Sequence, residues 1–167
     1  HNSCPPMVNP NLSPGDRAPA FTLTAGDGAR FRLTEQRGRW GVIFFYPKDK
    51  TANCSTGARD FQERLSAFEA LGAFVAGISP DAPASHADFA ACECLKFPLL
   101  ADPTLKIAGK YGVWRQKTNG GRDFVGLVRG TFLIDPSGRL AHVWDNVRVK
   151  GHAEKVLTAL RAEVEVS

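Results

Sequence analysis

The fold is decided by residues 40–55, which read WGVIFFYPKDKTANCS. The apolar run from Trp40 to Tyr46 is long enough for one buried central strand. Pro47 has no amide hydrogen to give to a sheet, so it predicts the end of that strand. Beyond Asp60, apolar side chains recur at helical spacing, at Phe61, Leu65, Phe68 and Leu71. Cys54 is therefore predicted in the loop or in the first turn of a helix.

A cysteine at such a junction has two interpretations. Unpaired amide hydrogens and the positive end of the helix dipole stabilise a thiolate there, which would make Cys54 a reactive nucleophile. Alternatively, Cys54 is a small buried side chain that fills a gap in the core. The position alone leaves both interpretations open.

Length and composition predict one globular domain over residues 9–167, with 43% hydrophobic and 23% charged residues. The net charge of +4 is modest and the 21 Lys and Arg residues are scattered, so no nucleic-acid face is expected. No apolar run approaches the ~20 residues that cross a bilayer, so no membrane anchor is expected. Residues 1–8, which include Met7, are expected to be an expression remnant or a disordered leader. With Met7 as the natural start, the protein is expected in the cytoplasm.

The cysteine count favours redox or catalytic use. Of the four cysteines, Cys4 lies in the expected leader, which leaves Cys54, Cys92 and Cys94. An odd number speaks against a structural disulfide framework. Cys92-Glu93-Cys94 lacks nearby partners with zinc-site spacing, so no metal site is expected.

The remaining pattern alternates strands with helices and closes with a hairpin. Predicted extended segments cover residues 21–23, 30–33, 74–79, 97–100, 130–134 and 139–144. Predicted helices run from Ser85 as N-cap to Cys92 or Cys94, from Asp102 as cap and Pro103 through Tyr111, and over residues 152–164. Residues 116–123 are predicted to form a polar surface loop. This order indicates an α/β fold with an N-terminal hairpin and a mixed sheet covered by helices on both faces.

Four ordered motifs resemble those of peroxiredoxins, most closely the bacterioferritin-comigratory-protein or PrxQ branch. Pro47-x-x-x-Thr51-x-x-Cys54 matches the active-site signature of that family, and residues 127–135 look like the segment that carries its active-site arginine, here Arg129. Residues 15–21 and 97–102 fall at the expected places around them. The similarity covers residues 14–160 and implies a thioredoxin-like fold.

The resemblance also implies a chemistry. Cys54 would attack hydrogen peroxide or an organic hydroperoxide and become a sulfenic acid, with no cofactor or metal. Thr51 would orient the peroxide, Arg129 would stabilise the thiolate and the departing oxygen, and Pro47 would shield the sulfur from water. Each residue also has a plainer interpretation, since Thr51 could only cap the helix, Pro47 only end a strand, and Arg129 only make a surface ion pair.

Two departures from the family pattern surround the cysteine. Ala52-Asn53 stands where relatives often have Pro-Gly, and Gly57 stands where a Glu or Gln is common. Because glycine costs up to ~1 kcal/mol in a helix relative to alanine, we expect the helix start to unwind readily during turnover.

The sequence says less about how the Cys54 sulfenic acid would be converted to a disulfide. Relatives carry a resolving cysteine five positions after the reactive one, which is Arg59 here, or on the following helix at a site that matches Ala90. If that helix continues, Cys94 lies one turn beyond Ala90 on the same face, so we predict a Cys54–Cys94 disulfide with Cys92 as competitor. Cys92 and Cys94 could instead fill the core at a helix end, which would leave a one-cysteine enzyme, or could bridge to each other as a dithiol relay. The resemblance implies reduction by thioredoxin or another dithiol, and a monomer.

Other functions of a thioredoxin-like fold are disfavoured at the motif. A disulfide oxidoreductase needs Cys-x-x-Cys, and Gly57 occupies the second position. A copper chaperone would need a cysteine at Ala58. A binding module without enzymatic activity stays open as an alternative, because fold does not fix function.

Overall fold

The computed structural model describes residues 12–119, 121–144 and 150–166. The expected leader at residues 1–8, with Cys4 and Met7, lies outside the described residues. The strands are β1 (Thr22–Ala25), β2 (Arg30–Arg32), β3 (Trp40–Phe45), β4 (Ala73–Ser79), β5 (Leu99–Ala101), β6 (Trp114–Asn119), β7 (Arg122–Leu127), β8 (Gly130–Ile134) and β9 (Leu140–Trp144). The helices are α1 (Ala52–Glu63), α2 (Leu65–Ala70), α3 (Pro83–Glu93), α4 (Lys106–Lys110) and α5 (His152–Val166), with a 3-10 turn at Leu33–Gln36.

The main sheet is mixed. Its order is β2-β1-β5-β4-β3-β8-β9, in which β3, β4 and β5 run parallel and the other neighbouring pairs run antiparallel. Helical crossovers join the parallel strands, as such connections require. The predicted α/β, thioredoxin-like architecture with an N-terminal hairpin is confirmed.

The side chains of β3 point alternately to the two faces of the sheet, so the core has two layers. Val42 and Phe44 pack with residues of α1, α2, α3 and α5, whereas Ile43 and Phe45 pack with residues of β1 and α4. Successive side chains of a strand point to opposite faces, so a strand buried on both faces is apolar throughout. Its position in the centre of the sheet places the loop after Phe45 at the edge where α1 begins.

The segment predicted as a polar loop at residues 116–123 is instead part of a hairpin. Strands β6 and β7 pair antiparallel, from Trp114 opposite Leu127 to Asn119 opposite Arg122. The prediction took the Asn-Gly-Gly sequence at residues 119–121 as part of a loop, although Asn-Gly is also a hairpin signal.

Two predicted helix starts were wrong. Helix α3 begins at Pro83 rather than after Ser85, because proline is well suited to the first turn, where its missing amide hydrogen is not needed. Helix α4 begins at Lys106 rather than at Pro103. Asp102 nevertheless caps it, since its carboxylate accepts the amide hydrogens of residues 107 and 108 at 3.2 and 2.9 Å.

Candidate active site

Cys54 is the third residue of α1 and is buried, with 2% of its surface exposed. Thr51 is the N-cap of the helix, and its Oγ1 accepts the amide hydrogen of Cys54 at 3.3 Å. The interpretation of Thr51 as a helix cap is therefore confirmed, and the residue whose amide it binds is the cysteine itself. Cys54 thereby lies in the first turn of α1, at the positive end of the helix dipole.

Arg129 reaches the cysteine from the position immediately before β8. Its Nη2 donates a hydrogen bond to Cys54 Sγ at 3.2 Å. The register of the sheet explains this contact, because Gly130 lies opposite Phe45 and Arg129 therefore lies beside the residue that follows β3. A guanidinium in this position stabilises negative charge on sulfur or on an oxygen bound next to it.

A cavity of about 30 Å³ opens at the sulfur, measured as space for the centres of water molecules. A single water needs roughly 10–15 Å³ by this measure, so the cavity accepts a group the size of about two or three waters. Pro47 is exposed to solvent and lies on the loop outside this lining. The cavity is lined by Phe44, Phe45, Tyr46, Cys54, Gly57, Ala58, Phe61, Arg129, Thr131 and His152.

His152 is a cavity residue that the sequence did not identify. It is 6% exposed, and its Nε2 lies 2.8 Å from Thr131 Oγ1. The imidazole packs edge-on against Phe61 and Trp144, with ring centroids 6.0 and 5.8 Å apart. Burial lowers the pKa of His152 to about 4, so the ring is neutral at physiological pH. The sequence offers one signal for His152, which is its position at the start of α5, just before the apolar residues of that helix.

A buried polar cluster of Tyr46, Asp49 and His86 holds the loop before α1. The Tyr46 hydroxyl donates to Asp49 Oδ1 at 2.6 Å, and His86 Nδ1 lies 2.8 Å from Asp49 Oδ2. His86 Nε2 lies 3.0 Å from the carbonyl oxygen of Leu100, which only accepts, so this nitrogen carries a proton.

Both members of this pair are almost fully buried. Burial alone would raise the pKa of Asp49, but hydrogen bonds from His86, Tyr46 and Ser85 outweigh it and lower that pKa. Burial, together with the Asp49 charge, raises the pKa of Tyr46. An ionised Asp49 beside His86 therefore ties the loop after β3 to helix α3.

Cys92 and Cys94 are exposed and have free thiols, so the interpretation that they fill the core is wrong. Helix α3 ends at Glu93, and Cys94 adopts a left-handed backbone with φ 56° and ψ 42°. The helix therefore does not continue through Cys94, and the premise that placed it on the Ala90 face fails. Arg59 Nε bonds Glu93 Oε1 at 2.9 Å and joins α1 to this end of α3.

The described residues were also compared with the requirements of a metal site and of a membrane span. No group of three or more His, Cys, Asp or Glu side chains within the described ranges is placed to hold a metal ion. Over the same residues, none of the helices has the length and apolar character of a membrane span.

Comparison with known proteins places this geometry in a family. The AhpC/TSA family profile matches residues 14–143. Peroxiredoxin Bcp of Bacillus subtilis is 39% identical over 147 residues, which cover 88% of this chain and 94% of that protein. Peroxiredoxin Bcp of Escherichia coli is 36% identical over 154 residues, which cover 92% and 98%.

Solved structures agree with the sequence comparison. The Xanthomonas campestris bacterioferritin comigratory protein superposes with a TM-score of 0.83 at 36% identity, covering 86% of this chain and 92% of its own. A cysteine-to-serine variant of Xanthomonas campestris peroxiredoxin Q superposes with a TM-score of 0.86 at 35% identity, covering 91% and 99%. The chain therefore belongs to the AhpC/TSA family and groups with its Bcp and PrxQ peroxiredoxins.

Proposed function

We propose that this chain is a thiol-dependent peroxidase in which Cys54 reduces hydrogen peroxide and organic hydroperoxides. The observation that carries the proposal is the 3.2 Å contact between Arg129 Nη2 and Cys54 Sγ at the mouth of a small cavity. Thiol-dependent peroxide reduction is the activity of the Bcp peroxiredoxins to which the chain is similar.

The first step needs a thiolate and a stabilised leaving oxygen. The Cys54 sulfur attacks the terminal peroxide oxygen, the O–O bond breaks, and the remaining oxygen leaves as water or as an alcohol after taking a proton. Cys54 becomes a sulfenic acid. Arg129 donates hydrogen bonds first to the sulfur and then to the leaving oxygen, where negative charge develops.

Thr51 and Pro47 complete the site in this proposal. The Thr51 hydroxyl, which already fixes the Cys54 amide, orients the bound peroxide. Pro47 ends the strand before the loop, and the resemblance also assigns it the exclusion of water from the sulfur, although it lies outside the cavity lining. Both roles follow the family resemblance.

The cavity fits a substrate that has a small peroxide group and an apolar substituent. Its volume accepts the two oxygens of a peroxide, and Phe44 and Phe61, stacked at 4.6 Å, form an apolar wall. The related Xanthomonas campestris bacterioferritin comigratory protein reduces alkyl peroxides. We therefore include alkyl hydroperoxides among the substrates of this chain.

Turnover requires a second thiol. We propose that the Cys54 sulfenic acid is resolved as an internal disulfide with Cys92 or Cys94, and that thioredoxin or a similar dithiol protein reduces this disulfide. A one-cysteine enzyme that uses an external thiol is the alternative, and both thiols are exposed enough to be mapped chemically. The proposal also includes one domain over residues 9–167 and a cytoplasmic monomer without nucleic-acid or membrane partners. Light scattering tests the monomer against the 18.1 kDa chain mass.

A thiol titration tests the peroxidase function. One equivalent of hydrogen peroxide is added to the reduced chain, to Cys54→Ser and to Cys4→Ser, and free thiols and residual peroxide are measured over time. The parent and Cys4→Ser are expected to consume the peroxide, and Cys54→Ser is expected to leave it at the level of buffer. Peroxide consumption by Cys54→Ser at the parent rate would remove the basis of the proposal.

A further inference from the structure

One face of helix α3 contacts the loop that leads into the active site. Ser85, Asp88 and Cys92 are spaced at i, i+3 and i+7, which places them on one stripe of the helix. The Ser85 hydroxyl donates to Asp49 at 2.8 Å, and Asp88 pairs with the Lys50 ammonium. The stripe that ends at Cys92 therefore faces the loop immediately before α1.

Lys50 also interacts with Cys92 itself. The hydrogen bond to Asp88 raises the pKa of Lys50, and the charge of Cys92 adds to this effect. The Lys50 ammonium thus lies on the side of α3 that carries Cys92, where it can stabilise the negative charge that develops on an attacking sulfur. Because Cys92 is exposed, its sulfur is free to meet a segment that moves towards it.

Cys54 stays within a short length of chain of Lys50. It lies four residues after Lys50, and four extended residues span at most about 14 Å. Unwinding the first turn of α1 would therefore let Cys54 swing towards Lys50 and Cys92. Gly57, in the second turn, weakens the start of α1, while the Arg59–Glu93 ion pair still joins the rest of α1 to the end of α3.

We propose that Cys92, rather than Cys94, resolves the oxidised Cys54, with Lys50 as the positioning residue. The inference rests on the proposed peroxidase function, which supplies the Cys54 sulfenic acid. The Cys92 sulfur attacks the sulfenic sulfur, an S–S bond forms and the S–O bond breaks. The oxygen leaves as water with the sulfenic proton and the Cys92 thiol proton, and the oxidising equivalents come from the peroxide.

Cys94 has a different structural position. Its amide donates to the carbonyls of Ala90 and Ala91, and its left-handed backbone turns the chain out of the helix. The residue thereby closes the helix as a C-terminal cap and leaves the stripe that faces Lys50.

Three variants in a Cys4→Ser background test the assignment: Cys92→Ser, Cys94→Ser and Lys50→Gly. The reduced proteins receive one equivalent of hydrogen peroxide, and disulfides and dimedone-trapped sulfenic acid are mapped by peptide mass spectrometry at timed quenches. Cys94→Ser is expected to form the Cys54–Cys92 disulfide at the parent rate. Cys92→Ser is expected to form any internal disulfide at least about tenfold more slowly and to accumulate sulfenic acid at Cys54.

Lys50→Gly tests the role of the ammonium while it preserves the backbone. Lys50 has φ 66°, a conformation that glycine adopts easily, so the variant removes the ammonium without straining the loop. We expect disulfide formation to slow about threefold or more relative to this variant's own rate of sulfenic acid formation.

The possible failures are distinguishable. A Cys54–Cys94 disulfide in the parent, or a parent that keeps its sulfenic acid with both other thiols free, overturns the assignment of Cys92 and leaves the peroxidase function intact. A parent in which Cys54 never becomes oxidised overturns both.

Discussion

Removal of the Arg129 guanidinium should slow the reaction of Cys54 with peroxide. Its Nη2 makes a 3.2 Å hydrogen bond to Cys54 Sγ from a half-buried position. Hydrogen bonds to charged groups contribute roughly 1.5–3 kcal/mol. A loss of about 2 kcal/mol in the transition state corresponds to a rate constant about 30-fold smaller, so this is the expected effect of Arg129→Met.

The assay is the second-order rate constant of Cys54 oxidation, measured by competition with a haem peroxidase of known rate. Arg129→Lys keeps the positive charge but not the planar fork of donors, and we expect a loss of about fivefold. Arg139→Met is the matched control, because Arg139 is an arginine that bonds the carbonyl of Gly15, and its removal should leave the rate constant unchanged.

The reasoning would be refuted by an Arg129→Met protein that is folded and reacts within about threefold of the parent rate. Such a result would mean that the contact with Sγ stabilises the reduced thiol and the transition state equally. Circular dichroism and the unfolding midpoint of each variant establish that the comparison is between folded proteins.

Three further predictions concern the environment of the site. His152 has a pKa of about 4 in the folded state against 6.5 when unfolded, so its contribution to stability is lost as pH falls from about 6.5 to about 4. Over that range the unfolding free energies of the parent and of His152→Gln should converge by about 3 kcal/mol. A difference that stays constant with pH would contradict this. Asp49→Asn replaces the buried carboxylate that contacts Tyr46, Ser85 and His86 and should lower the unfolding free energy by about 2–3 kcal/mol in urea titrations, whereas a loss below about 1 kcal/mol would contradict a stabilising role of this cluster. Cys94→Gly should raise the unfolding midpoint by an amount that corresponds to about 0.5–1 kcal/mol, because glycine suits the left-handed cap; a lower midpoint would speak against that strain.

The parts of the fold that were predictable are those in which local pattern and packing agree. Strand β3 was recognisable because a strand buried on both faces must be apolar throughout, and α5 because its buried residues recur at helical spacing. The hairpin of β6 and β7 was missed because neither strand alternates regularly between apolar and polar residues. The start of α3 was misplaced because Pro83, a good first-turn residue, precedes the cap signal at Ser85, and α4 begins only after Leu105, which has a left-handed backbone.

The candidate site shows the same division. The junction made Cys54 a candidate and the family resemblance assigned its reactivity, whereas Arg129 was identified through the resemblance alone, since nothing local relates residues 75 positions apart. His152 and the Asp49–His86 pair were not identified at all. Their significance depends on burial and on contacts between distant segments, which a single sequence does not reveal.

The most direct test of the central claim uses Cys54 as the only thiol in the chain. Cys4, Cys92 and Cys94 are replaced by serine, and the protein receives one equivalent of hydrogen peroxide in the presence of dimedone. The proposed function predicts that one peroxide is consumed per chain and that dimedone is attached to the peptide containing Cys54. Peroxide consumption no faster than that of the chain lacking all four cysteines, with an unlabelled Cys54 peptide, would contradict it.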